Sequence, residues 1–128
     1  MHNIISTKLA PKPIGPYSQG IKRNNIVVTS GQIALNENNE IISDNIIEQT
    51  KIILQNIKQI IQKSGLTIHD IIKITIFVTQ LNEMNQINII YNDFFQKHHA
   101  RLPARTCVEV SKLPKNAKIE IEAIAIQN

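Results

Sequence analysis

Glu120 and Glu122 stand two residues apart in Lys118-Ile119-Glu120-Ile121-Glu122, and on a strand that spacing points both carboxylates to one face. Paired carboxylates serve as acid and base in hydrolytic chemistry, and they also pair with a neighbouring cation, here Lys118 on the same face. Arg105 sits where the loop Arg101-Leu102-Pro103-Ala104 enters a strand, so a rigid backbone fixes its base. Its guanidinium can grip a carboxylate through two parallel hydrogen bonds, or it can remain a surface charge. Tyr17, in Gly15-Pro16-Tyr17-Ser18, is either a packed aromatic or a phenol lining a pocket. Cys107 follows two residues after Arg105 with no histidine close in sequence, and is either a nucleophile or a small buried hydrophobe. Spacing alone does not choose within any of these pairs.

Several chemistries are excluded by what the chain lacks. It contains no G-x-S-x-G elbow, no Walker loop, no G-x-G-x-x-G turn and no H-E-x-x-H helix. His2, His69, His98 and His99 lack metal-ligand spacing. His98 and His99 are adjacent on a helix end and diverge by about 100°, which suits capping of the helix C-terminus. No metal site is expected from these histidines. The net charge of +4 comes largely from scattered lysines, with Lys112, Lys115 and Lys118 the nearest thing to a cluster. A nucleic-acid binder would carry a dense basic stripe or interleaved aromatics, and aromatics make up 4% of the chain, so no nucleic-acid partner is expected. The modest excess favours small anions near a site. One cysteine allows no internal disulfide. Residues 1–7 lack the basic and apolar regions of a signal peptide, and no apolar run approaches the ~20 residues of a membrane span. A cytoplasmic location without membrane contact is expected.

The elements that position these groups follow from pattern. The 128 residues form one domain, 1–128, without repeat, linker or break in composition. Ile dominates the 42% hydrophobic content, beside abundant Asn and Lys, as mutational drift in an AT-rich genome would produce without changing the fold. Pro11, Pro13, Gly15, Pro16 and Gly20 make residues 8–20 an ordered loop. Residues 21–23 and 26–30 flank Asn24-Asn25 as a hairpin, and Gly31 after it marks a bulge or a closely approached backbone. Asn45 with Glu48 reads as a capping box opening a helix whose Ile46, Ile53, Ile57, Ile60 and Ile61 follow a 3.6 period until Gly65 ends it. Residues 71–78 read as a strand buried on both faces. Asn82 can cap a second helix over 83–98, with Met84, Ile87, Tyr91, Phe94 and Phe95 as its apolar stripe. Strands over 106–110 and 118–126 follow, joined by a turn around Leu113-Pro114-Lys115. The order β-β-β-α-β-α-β-β predicts an α+β domain with two helices on one face of a mixed sheet. Ile124, Ala125 and Ile126 read as buried on both sides of the last strand, so the second sheet face calls for self-association.

Four segments carry a resemblance. Ile14-Gly15-Pro16-Tyr17-Ser18-Gln19-Gly20 and Thr29-Ser30-Gly31-Gln32-Ile33 resemble the N-terminal signatures of the RidA/YjgF family. Residues 102–110, LPARTCVEV, are similar to its central motif, and Leu113-Pro114-Lys115 with residues 118–125, KIEIEAIA, to its C-terminal one. The motifs occur in order over essentially the whole chain. The resemblance implies a chorismate-mutase-like (RidA) fold in a homotrimer whose sheets form a central barrel with active sites between subunits. It implies hydrolytic deamination of reactive 2-imino acids, the enamine/imine products of PLP enzymes such as 2-iminobutanoate and 2-iminopropanoate, to 2-keto acids. This imine chemistry calls for no cofactor. By the same resemblance Arg105 would bind the substrate carboxylate. Glu120 with the Cys107 carbonyl would orient water, and Tyr17 would position that water or the imine nitrogen. Ser30 and Gly31 would add contacts, and Asn88 would reach in from the adjacent subunit. Cys107 then becomes a pocket wall. Two other readings remain: an RNA-binding, endoribonuclease-type translation inhibitor, and a non-catalytic small-ligand-binding module. A chorismate mutase would rest on fold alone.

Overall fold

The computed structural model describes residues 2–128. Six strands form one mixed sheet: β1 His2–Ile5, β2 Gly20–Arg23, β3 Ile26–Thr29, β4 Ile71–Val78, β5 Ala104–Glu109 and β6 Ile119–Ile126. Their spatial order is β1-β2-β3-β6-β4-β5, antiparallel throughout except for the parallel β4–β5 pair at one edge. Helices α1, Ile46–Lys63, and α2, Met84–Lys97, supply the crossovers and pack on one face. This is the predicted α+β arrangement.

Local chemistry explains the clearest elements. Asn45 Oδ1 accepts from the Ile47 and Glu48 amides and starts α1. The capping box is only half formed, because the Asn45 amide donates to Ser43 Oγ rather than to Glu48. At the far end Gly65, at φ 93°, donates to Gln62 O while Leu66 donates to Ile61 O, a Schellman closure that only an αL residue permits cheaply. Ile53, Ile57, Ile60 and Ile61 are fully buried against Val27, Ile121 and Ala125 of the sheet. Each such isoleucine contributes about 1.5–3 kcal/mol through burial.

Two expectations are corrected. Asn82 caps nothing: a 3₁₀ turn, Leu81–Glu83, precedes α2, and the Leu81 amide is taken by Glu109 Oε1 of β5 at 2.9 Å. The tertiary carboxylate anchors this turn, and α2 itself starts without a side-chain cap. Strand β4 is buried on one face only. Ile74, Ile76 and Val78 lie under the helices, while Lys73, Thr75 and Phe77 on the opposite face are half-buried. The same holds for β6, where Ile124 and Ile126 are 36% and 37% exposed because no element of this chain covers that face. Ile26 and Val28 of β3 continue the same apolar surface.

Candidate functional site

The sheet register decides which chemistry-bearing residues can meet. Arg105 stands opposite Ile74 and Cys107 opposite Ile76, so both point toward the helices. Glu120 stands opposite Phe77 and Glu122 opposite Thr75, so both point to the uncovered face. Paired strand positions share a face, and Arg105 and Glu120 therefore lie on opposite sides of the sheet within one chain.

On the helix side, α2 builds a cradle for Arg105. Asn88 and Tyr91 are three residues apart and share a helix face. Arg105 Nη1 donates to Asn88 Oδ1 at 2.9 Å, and its Cζ lies 4.9 Å above the centre of the Tyr91 ring. Asn88, expected from an adjacent subunit, thus holds the arginine of its own chain. Arg105 itself stays exposed, open to an incoming anion. Two residues on, Cys107 Sγ approaches Met84 Sδ to 3.2 Å at the start of the same helix. Burial pushes the Cys107 thiol up, and the nearby Arg105 charge only partly offsets it. The group is a neutral thiol at pH 7, which suits a pocket wall and not an attacking thiolate.

On the other side, Glu120 rests on the backbone of Gly31. A Cβ placed on Gly31 would lie 2.7 Å from Glu120 Cδ and 3.0 Å from its Cγ. The segment is fixed by the reciprocal Gln32–Ile121 backbone bonds that extend β6. Next to it the Ser30 hydroxyl donates to Ser18 O, and the Ser30 amide donates to Gln19 O at 2.8 Å. Ser30 thereby ties down the loop carrying Tyr17, whose hydroxyl accepts from the Ile14 amide at 3.1 Å. The buried Gln19 amide group braces the preceding loop, donating to Thr7 O, Ala10 O and Pro11 O. Tyr17, Ser30, Gly31 and Glu120 thus belong to one connected neighbourhood. Glu120 is raised above the ordinary glutamate range, first by burial and second by repulsion from Glu122. A carboxylate so disposed is a better proton acceptor than a free one.

The candidate residues fall into two clusters: a fixed cation beside a thiol, and a basic carboxylate on a close-packed glycine. A cavity of about 700 Å³ under the N-terminal loop, bounded by Thr7, Ala10, Gln19, Leu35 and Asn56, contains none of them. Tyr91 and Met84 were legible only as stripe residues of α2. The signal that singles them out is Asn88, a polar residue four after Met84 and three before Tyr91. Among the described residues no group of three or more His, Cys, Asp or Glu side chains could hold a metal ion. No helix among them is long and apolar enough to cross a membrane.

The chain is similar to proteins already known. The family model described as Endoribonuclease L-PSP matches residues 7–127. The RutC family protein BU371 of Buchnera aphidicola subsp. Acyrthosiphon pisum is 52% identical over 127 residues, covering 99% of both chains. The 2-iminobutanoate/2-iminopropanoate deaminase of Escherichia coli K12 is 45% identical over 127 residues, again 99% of both. The crystal structure of E. coli TdcF with bound serine matches at a TM-score of 0.94 and 45% identity, covering 98% of this chain and 99% of that one.

Proposed function

The chain belongs to the RidA/YjgF family, the one that the Endoribonuclease L-PSP model describes, and on that premise we propose that it hydrolyses reactive 2-imino acids to 2-keto acids and ammonia. The observation that carries this reading is the exposed Arg105 guanidinium, held by Asn88 and Tyr91 as a fork for a substrate carboxylate. The serine bound to TdcF is itself an amino-acid carboxylate. The 2-iminobutanoate/2-iminopropanoate deaminase relative acts on substrates that carry one too.

The chemistry asks little of the protein. A protonated imine is already electrophilic, so positioning one water and holding the carboxylate are enough. Glu120, aided by the Cys107 carbonyl, orients the water and takes its proton as oxygen bonds to the C=N carbon. Tyr17 steadies the water or the imine nitrogen, with Ser30 and Gly31 shaping the wall. Glu120 returns that proton to the carbinolamine nitrogen and takes the hydroxyl proton as the C–N bond breaks, so that the C=O forms and ammonia leaves. No metal or cofactor enters these steps.

Because Arg105 and Glu120 face opposite sides of one sheet, the working site needs the Arg105 half from one subunit and the Glu120 half from its neighbour. The half-exposed Ile26, Val28, Ile124 and Ile126 support a homotrimer with these faces turned inward as a barrel. The test generates 2-iminobutanoate in place with threonine dehydratase and traps the remaining imine with semicarbazide. Wild-type protein should speed the loss of trappable imine over buffer. Arg105→Ala and Glu120→Ala should each be strongly impaired alone. Subunits of the two exchanged at random should regain activity at about a quarter of the interfaces, where both intact halves meet. Absence of recovery in mixed trimers would place both groups in one subunit's site and overturn this assembly.

The raised Glu120 sets the pH dependence. The carboxylate must be ionised to accept a proton, so kcat/KM rises with pH, and its acid limb should lie above the ordinary glutamate range. Glu122→Gln removes the repulsive contribution and should move that limb to lower pH, while burial keeps it from returning fully. A limb that stays in place in the pH profile of Glu122→Gln would remove Glu120 from the proton transfer.

A further inference from the structure

We infer that Tyr91 is a positioning residue for substrate binding, holding the Arg105 guanidinium in place through the face of its ring. The inference rests on the deaminase reading for its kinetics but not for its binding prediction. Tyr91 is 4% exposed and locked in an aromatic stack, its ring centre 4.9 Å from that of Phe95, which meets Phe94 edge-on at 5.3 Å. Its upper face carries the guanidinium at 4.9 Å. Asn88 and Tyr91 constrain Arg105 in complementary ways. The Asn88 bond fixes one nitrogen at a point, and the Tyr91 ring face bounds the guanidinium carbon from below at 4.9 Å. An exposed arginine otherwise loses rotamer freedom when it binds a carboxylate in bidentate fashion, and a side chain already held loses less.

The hydroxyl is not what the site uses. It is buried without a hydrogen-bond partner, and burial pushes it up to about 12 against the opposing pull of Arg105. Tyr91 is therefore a neutral phenol at every working pH, and what it offers the cation is its π face. Phenylalanine would keep that face and remove an unpartnered buried polar atom.

The experiment compares Tyr91→Leu and Tyr91→Phe in the trapping assay, with binding of the product 2-oxobutanoate measured by calorimetry. Tyr91→Leu removes the π face and should raise KM about tenfold with little change in kcat, because the Glu120 half-site is untouched. Its affinity for 2-oxobutanoate should fall by the same factor. Tyr91→Phe should restore both values to near wild type. If Tyr91→Leu loses its far-UV circular dichroism, Tyr91→Met fills more of the volume and carries the same expectation. The inference is overturned if Tyr91→Leu binds and turns over like wild type, if Tyr91→Phe is as impaired as Tyr91→Leu, or if only kcat falls. A wild type that does not turn over yet loses 2-oxobutanoate affinity in Tyr91→Leu sinks the deaminase reading and keeps this one.

Discussion

Arg105→Ala lowers kcat/KM for 2-iminobutanoate by about 10²–10³-fold, the cost of leaving a desolvated carboxylate without its charged partner. The loss should fall on binding and orientation, since Glu120, the proposed water holder, lies on the other sheet face and keeps its contact with Gly31. The fold should not suffer. Arg105 is exposed on an edge strand, and its contacts to Asn88 and Tyr91 decorate α2 without anchoring it. Arg105→Lys recovers only part of the activity, because a point charge does not offer the two-pronged geometry of the guanidinium. Steady-state kinetics beside size-exclusion chromatography check this. Wild-type turnover by a correctly assembled Arg105→Ala protein would remove the arginine from the site.

Gly31→Ala lowers kcat by roughly 10²-fold while leaving KM and stability nearly intact. The added methyl would fall within 2.7 Å of Glu120 Cδ, so the carboxylate must move. The atoms it meets are the far end of a flexible side chain, which swings aside at small cost to the fold. A displacement near 1 Å at a water-positioning group is worth about 10² in rate. Thermal unfolding should shift by no more than about 4 °C, as for a change near 1 kcal/mol. A mutant with unchanged kcat would show that the placement of Glu120 on this glycine is irrelevant to turnover. A collapse in melting temperature would show instead that the glycine serves packing.

These two substitutions probe opposite halves of the site, and the residues involved differ in how far sequence exposes them. The shared face of Glu120 and Glu122 was legible because strand alternation is local. Asn45 and Gly65 announced the ends of α1 because caps are made within a few residues of the chain. Asn82 misled for the converse reason: a 3₁₀ turn held by Glu109, which arrives from β5 to accept from the Leu81 amide, takes in Asn82 and moves the start of α2 past it. The capping box of Glu48 failed because Ser43 was nearer to hand. The family motifs marked Arg105, Tyr17, Ser30, Gly31 and Glu120 as a set, but a motif carries no statement about which side of a sheet its members occupy.

By itself the sequence determined the element order, the isoleucine face of α1, the apolar second face of the sheet and the types of group available for chemistry. All of these are read from periodicity and short-range bonding. Only the tertiary structure decided that Arg105 lies over Tyr91 and beside Asn88, that Glu120 rests on Gly31, and that the two clusters are turned away from each other. Those facts depend on the registers of β5 and β6 against β4, and a slip of one residue would reverse the faces. Register is set by how whole strands bury their apolar sides under α1 and α2, a sum over many distant contacts that no local pattern contains.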